Sequence, residues 1–227
     1  MYIAVLMIKR VGWIVYFFVT LHSMAQNKYS QSDSAGKKSG KKPAHAIILF
    51  MLLISNPREG WKRIKNAKFH PEDYARSLFY PLLALMSVCR FMDLVYGKSA
   101  GIATMLQQAV AGFVAGFAGY FLVLILCRWI LPKEVKSRIE LPFGKVYVMT
   151  NLSALAFAVT IYEILPTLGL LLFVLPIYIS YIIVKGLRFL RVPEDEETPA
   201  AVIMVLLTLG VPMAIYFTLE FMMPAAV

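Results

Sequence analysis

The residues of this chain that could perform chemistry inside a membrane are a few charged and amide side chains within long apolar segments. Arg90 and Asp93 are three residues apart, so on a helix they share a face and can pair. Charged side chains are costly inside a bilayer and therefore often mark an ion or proton pathway. The residues that we expect to lie together at one level of the membrane are Arg90, Asp93, Gln107, Gln108, Glu163 and Glu220.

Two interpretations of this polar cluster are open. If all of its side chains face inward, they form an ion or proton site of a small-solute or ion carrier. Alternatively, each polar tip extends to the lipid headgroups from its place near a helix end, where charge is least costly. The loss of a defined flux on replacing Asp93 or Glu163 by Ala would indicate the carrier.

The sequence contains none of the common catalytic or nucleotide-binding motifs GxSxG, HExxH and GxxxxGK[ST]. His22, His45 and His70 precede the long apolar segments and have no Cys or His partner at metal-ligand spacing. We therefore predict a protein that is not an enzyme and that uses no metal and no cofactor. Cys89 and Cys127 fall at different membrane depths, too far apart for a disulfide, and are predicted to be small buried side chains.

Five apolar segments must position the polar cluster, and each has about the 20 residues that a helix needs to cross the hydrocarbon core. They are residues 77–97, 104–130, 147–165, 168–187 and 199–222. Lys and Arg in the connecting segments fall almost entirely on alternate sides, as in multi-pass proteins. We predict an all-α polytopic membrane helical bundle with five transmembrane helices over 77–227, preceded by short interfacial amphipathic helices over 44–76.

The basic side of this bundle is predicted to face the cytoplasm, which puts the C-terminus outside and the polar cluster in the outer leaflet. The expected location is the cytoplasmic (inner) membrane of a bacterium. The formal net charge is +10, but 59% of the residues are hydrophobic and the mean hydropathy is +0.69. The basic excess therefore indicates attraction to anionic lipid headgroups, and we predict no binding of nucleic acid.

Residues 1–25 have a charged start, a short apolar core and small residues at their end, as a secretory signal does. Cleavage there, or use of the segment as an extra spanning helix, would place the very basic residues 26–76 outside, against the positive-inside rule. A third interpretation, which we favour, is that translation starts at Met24. Residues 26–43 are rich in Ser, Gly, Lys and Gln and are predicted to be a flexible basic linker.

Two short helices are expected before the first span. Residues 44–54 are apolar but too short to cross a bilayer. Asn56 as N-cap, Pro57 at the first position and Glu59 reaching back predict a helix over 57–68. The alternative to an interfacial position is an ordinary solvated helix that caps the bundle. The residues expected at the membrane surface, with the indole at headgroup level, are Arg58, Trp61, Lys62, Ile64 and Lys65.

The second span carries small residues at helical spacing, a pattern that lets two helices approach closely in lipid. The sequence leaves open whether the partner helix belongs to this chain or to a second copy. The residues predicted to form this small-residue face are Ala111, Gly112, Ala115, Gly116 and Gly119.

Prolines predict where the other spans break. Pro166 indicates a tight hairpin between the third and fourth spans, and Pro176 and Pro212 predict kinks within the fourth and fifth. The acidic run 194–197 is expected to form a solvated loop before a last span that starts at Pro199.

The segment ISNPREGWKRI, residues 54–64, resembles the NPRxxWxxI pattern of bacterial members of the Yip (Ypt/Rab-interacting protein) domain family. The resemblance covers about residues 44–225 and implies a five-span bundle with a cytoplasmic N-terminus. Residues 1–43 have no counterpart in it. Further similar segments are residues 117–120, 145–147 and 178–191.

In eukaryotic members the resemblance implies binding of small GTPases, and of other family members, in vesicle traffic. Their Asp-Leu-Tyr-Gly motif is matched only loosely by residues 93–97, where Val95 is inserted, so we do not carry GTPase binding over. We predict a non-catalytic adaptor or scaffold that organises membrane partners or lipids through its basic cytoplasmic face and its small-residue face. A protein partner or self-association is expected, and the carrier is the alternative.

Overall fold

The computed structural model describes residues 43–96, 101–165 and 171–223, which are almost entirely helical. The predicted signal-like segment, the linker up to residue 42 and the hairpin at Pro166 lie outside the described residues. The helices are α1 (Pro43–Ser55), α2 (Pro57–Ala67), α3 (Pro71–Leu94), α4 (Ile102–Ile130), α5 (Lys133–Glu140), α6 (Pro142–Ile164), α7 (Leu171–Leu187) and α8 (Glu194–Met222).

Four of the described helices, α3, α4, α6 and α8, are long and apolar enough to cross a membrane. The apolar helix α7 is described over 17 residues and matches the later part of the fourth predicted span. The predicted all-α polytopic membrane bundle is confirmed, whereas the count of five spans stays a prediction.

Three spans begin earlier than their apolar segments predict, at Pro71, Pro142 and Glu194. Proline at the first helical position and carboxylates in the first turn start a helix without apolar residues. The acidic run 194–197 is therefore the first turn of α8 and not a loop, and Pro199 lies inside that helix. Apolarity marks the part of a helix that crosses the hydrocarbon, not the point where the helix starts.

The first span, α3, contains a π-helical turn at Ala75–Phe79. Pro81 follows two residues later and has no N–H to donate to the carbonyl of Ser77, so the regular α-helical bond is missing at this level. The wider turn accommodates this loss. The helix then runs to Cys89 and, after a turn at Arg90 and Phe91, ends with the single turn Met92–Val95.

Helix α6 lies at the centre of the bundle, where it contacts α3, α4, α5, α7 and α8. In its most apolar stretch 72% of the residues are buried, against 28–44% in the other three long spans. Most of the buried polar side chains of the described chain, including Thr150, Asn151 and Ser153, lie on α6. Cys89 and Cys127 are free and buried, as predicted.

Helix α5, between α4 and α6, was not expected from the sequence. Its Val135 and Ile139 are buried, and most of its charged side chains point outward. A Cβ on Gly144 would lie 2.4 Å from backbone atoms of Arg138 and Ile139, so the turn into α6 is tight enough to require glycine. An amphipathic helix thus lies against the ends of α4 and α6.

Candidate functional site

The two ends of the bundle carry different polar groups. The basic end holds α2, α5 and the 3-10 turn Arg188–Leu190 that follows α7. The far end holds the last turns of α3, α6 and α8 and the first turn of α4.

At the far end Arg90 and Glu163 form an ion pair between α3 and α6. The Nη1 of Arg90 lies 2.6 Å from Oε1 of Glu163, and the two side chains are 22% and 8% exposed. The partner of Arg90 is thus a residue of another span rather than Asp93, three residues away. Neither side chain extends to the headgroups alone, since each is neutralised by the other within the bundle.

Tyr216 of α8 joins this pair. The guanidinium carbon of Arg90 lies 5.2 Å from the centroid of the Tyr216 ring, at the distance of a cation–π interaction. The hydroxyl of Tyr96 also donates to the carbonyl oxygen of Ile164, which holds the end of α3 on α6. Three spans therefore meet around one cation.

A cavity of about 200 Å³ lies between α4 and α8 on the other side of Tyr216. Its polar lining could hold waters or a small polar solute. Its lining residues are Thr104, Gln107, Gln108, Ala111, Tyr216, Glu220 and Met223.

The structure thus divides the predicted polar cluster into two neighbouring groups with Tyr216 between them. Arg90 and Glu163 pair with each other, and Gln107, Gln108 and Glu220 line the cavity. Asp93, on the last turn of α3, is not among the lining residues. The sequence analysis missed Tyr216, although its spacing of four residues from Glu220 puts both on one helix face.

The small-residue face of α4 packs within this chain. A Cβ on Gly116 would lie 2.5 Å from Cδ2 of Leu83 in α3, and one on Gly119 would lie 3.1 Å from Cγ of Pro212 in α8. Gly112 faces Met86, and Ala111 and Ala115 are buried. This face is consequently covered by the chain's own helices, and the predicted use of it to organise partners is wrong.

At the basic end the predicted helix after Asn56 is confirmed as α2. The side chain of Asn56 accepts a hydrogen bond of 3.3 Å from the backbone N–H of Glu59, and Pro57 is the first helical residue. The carboxylate of Glu59 binds Arg63 at 3.0 Å and does not reach back to the cap. The helix ends at Lys68, whose φ of 47° closes it in the left-handed conformation.

The apolar side of α2 faces the bundle. Trp61 and Ile64 are 0% and 1% exposed. The indole Nε1 donates a hydrogen bond of 2.9 Å to the carbonyl oxygen of Ile182 in α7, and the ring packs on Tyr147 of α6. The prediction that Trp61 and Ile64 lie at the membrane surface is therefore wrong. Helical periodicity showed that they share a side, but protein and lipid are equally apolar neighbours for that side.

Two glycines permit this close packing. A Cβ on Gly60 would lie 2.4 Å from Cα of Leu53, so the backbones of α1 and α2 are in direct contact at this point. A Cβ on Gly186 would lie 2.5 Å from the indole of Trp61 and 2.6 Å from the ring of Tyr147. The NPREGW segment is thus a structural clasp that fastens α2 to α1, α6 and α7.

The charged side of α2 is directed away from the core. Arg58 and Lys62 are exposed, whereas Lys65 is partly buried. The ammonium of Lys65 donates to the carbonyl oxygen of Phe189 and lies 5.7 Å from the centroid of the Phe143 ring. Burial, followed by the charges of Arg191 and Arg138, lowers the pKa of Lys65.

A second basic site lies between α4, α5 and α6. Arg128 binds Glu140 at 3.2 Å, with both side chains exposed. A small cavity of about 20 Å³ beside this pair is lined also by Lys136 and Lys145. The basic end is therefore a surface of cations from several helices.

Comparison with known proteins gave one finding. No curated protein and no solved structure matched the chain. The family model of the Yip1 domain matches residues 51–217, well over half of the chain. The matched region contains the clasp, the small-residue face and the Arg90–Glu163 pair.

Proposed function

This chain belongs to the Yip1 domain family of membrane proteins, and from that premise we propose that it is a non-catalytic adaptor. Its bundle mounts a rigid basic surface at which partner proteins, a second copy or lipids are gathered. The observation that carries the proposal is the seating of Trp61, which fixes α2 against α6 and α7 and leaves Arg58 and Lys62 exposed. A surface fixed in this way can bind a partner without first ordering itself.

The basic end is proposed to face the cytoplasm of a bacterial cell, and the chain to lie in the cytoplasmic membrane with its C-terminus outside. The positive-inside rule supports this orientation, because Lys and Arg are concentrated before α3, around α5 and after α7. Soluble partners would then reach α2 and α5 from the cytoplasm.

The contacts inside the bundle support a structural role, rather than a role in transport, for the α4 glycines and the Arg90–Glu163 pair. The glycines of α4 accommodate Leu83 and Pro212, and Arg90 is neutralised by Glu163. A carrier would need charges that can exchange partners during transport, so the pairing of Arg90 with Glu163 favours the adaptor over the carrier.

The test is crosslinking in cells from a photoreactive residue at position 62, on the exposed side of α2. The matched control carries the same residue at position 210, an exposed site in the middle of α8. We expect one defined partner, or a second copy, to be captured from position 62 only. Its capture should be lost when the charge at position 58 is reversed by Arg58→Glu.

Equal products from positions 62 and 210, or a product insensitive to Arg58→Glu, would contradict the proposal. Either result would show that contact reflects crowding in the membrane and not a surface at the basic end.

A further inference from the structure

Three cations converge at the basic end from three different elements. Lys65 is on α2, Arg138 is near the end of α5, and Arg191 follows the turn after α7. Both α2 and α5 contact that turn. The convergence is therefore a product of the fold and not of neighbouring positions in the sequence.

The position of Lys65 within this cluster is fixed. Its ammonium is held between the carbonyl oxygen of Phe189 and the ring of Phe143. Burial and, after it, the charges of Arg191 and Arg138 lower the pKa of Lys65, so both guanidinium groups lie near enough to repel its ammonium. An anion bound near these cations would offset this repulsion.

Arg191 adopts an unusual backbone conformation, with φ of 58°. Glycine and asparagine adopt this left-handed region more readily than arginine does. The chain thus places a long cationic side chain directly after the turn that Lys65 contacts, at a position where the backbone alone would favour a small residue.

The described part of the chain supplies no counter-charge to the cluster. Its ion pairs involve Arg63, Arg90, Arg128 and Arg188, and no described carboxylate lies within ion-pair distance of Lys65, Arg138 or Arg191. Among the described residues these three cations are therefore without a counter-charge, which a bound anion can supply.

The position of the cluster relative to the membrane indicates which class of ligand it binds. Phe143 is in the first turn of α6, a helix long and apolar enough to cross the membrane, and Phe189 follows the end of the apolar helix α7, so both lie at the end of an apolar helix. Lipid phosphates lie at this level. Guanidinium groups bind phosphate oxygens through paired hydrogen bonds, and an ammonium adds a point charge.

We propose that Lys65, Arg138 and Arg191 form a binding site for the phosphate group of an anionic lipid headgroup. The inference rests on the proposed function and deepens it, because it names the lipid class and the residues that hold it. Basic pockets between the ends of membrane helices are a known setting for anionic lipids.

The test is native mass spectrometry of the full chain, released from mild detergent containing phosphatidylglycerol or phosphatidylcholine. Both lipids carry a phosphodiester, but only phosphatidylglycerol is anionic. The cluster variant is Lys65→Gln, Arg138→Gln and Arg191→Asn, in which Gln can still donate to Phe189 and Asn tolerates the left-handed backbone. The matched control, Lys68→Asn, Arg76→Gln and Lys133→Gln, removes three other exposed cations from the same end, and Asn tolerates the left-handed backbone of Lys68.

We expect the wild type and the control to retain phosphatidylglycerol at least about tenfold more than phosphatidylcholine, a difference of about 1.4 kcal/mol, because the control leaves the three cluster cations in place. The cluster variant should lose this preference while keeping its helical circular dichroism. Equal loss in both variants would overturn the site, because it would show a diffuse charge effect.

Two further outcomes would also overturn it. Displacement of the lipid by millimolar glycerol phosphate would assign the cluster to a soluble phosphate, and retention of an acidic protein in place of lipid would assign it to a protein partner. The proposed function fails separately, through loss of the product crosslinked from position 62, so failure of one proposal does not imply failure of the other.

Discussion

The indole nitrogen of Trp61 and the carbonyl oxygen of Ile182 are joined by a buried hydrogen bond of 2.9 Å across 121 positions of the chain. This bond fastens a short helix that precedes the first span to α7, an apolar helix far along the chain. Without this bond, α2 would depend more on its contacts with α1 and on a few charged side chains. The bond and the packing of the ring on Tyr147 make α2 part of the bundle.

Replacing Trp61 by Phe should lower the free energy of unfolding by about 1–2 kcal/mol, because the donor is lost and the smaller ring leaves a void. Thermal melting of the purified protein in detergent measures the effect. Trp129→Phe is the control, because Trp129 is 85% exposed and the variant should melt within about 0.5 kcal/mol of wild type. Equal melting of both variants would show that Trp61 does not hold α2.

Gly186→Ala should destabilise the protein by about 1–3 kcal/mol, since the new methyl group would overlap the rings of Trp61 and Tyr147. A methyl group at Gly210 meets nothing within 4 Å, so Gly210→Ala should stabilise its helix by about 0.5–1 kcal/mol. The melting temperature should therefore fall in Gly186→Ala and rise in Gly210→Ala. A neutral Gly186→Ala would mean that the rings can move aside without loss.

Arg90→Ala should cost about 3–5 kcal/mol, because it removes the guanidinium that binds the nearly buried carboxylate of Glu163. Arg128→Ala removes one partner of an exposed ion pair and should cost about 0–1 kcal/mol. The melting temperatures of Arg90→Ala and Arg128→Ala are measured and compared. If Arg90→Ala melts like Arg128→Ala, the far-end pair is solvated and does not join α3 to α6.

Gly116→Ile should reduce the melting temperature and the yield of folded monomer, because its side chain would displace Leu83 from α4. Val114→Ile places the same isoleucine side chain at an exposed position of the same helix and should leave both unchanged. Size-exclusion chromatography distinguishes lost folding from lost association. A stable Gly116→Ile protein that has only lost a second copy would place this face at an interface between chains.

Liposomes that contain the protein should show no proton or cation flux above that of protein-free liposomes, and Asp93→Asn should change nothing. This follows if the Arg90–Glu163 pair serves to join helices. A flux in the wild type that disappears in Asp93→Asn would favour the carrier over the adaptor. Glu220→Gln, in the lining of the far-end cavity, would then show whether that cavity lies on the route.

Sequence patterns were sufficient for the features that depend on local chemistry. The cap at Asn56, the start at Pro57 and the long apolar helices all follow from residues close together in the chain. The helix starts at Pro142 and Glu194 were placed too late, because apolarity was taken as the limit of each helix.

The orientation of helix faces could not be predicted in the same way. In water an apolar stripe must turn inward, but in a bilayer it can face lipid or protein at similar cost. For this reason Trp61 was placed at the lipid surface and the partner of Gly116 was left open. The Arg90–Glu163 pair depends on contacts between distant spans, which no local spacing encodes.

The seat of Trp61 also sets an order of assembly during synthesis. Its parts, Tyr147, Ile182 and Gly186, leave the ribosome more than 80 residues after the indole that they receive. Until Gly186 has emerged, α2 can pack on α1, but its binding position against α6 and α7 is incomplete. Docking of α2 on α6 and α7 is therefore a late step of biogenesis. It requires that about the first four-fifths of the chain have been synthesised.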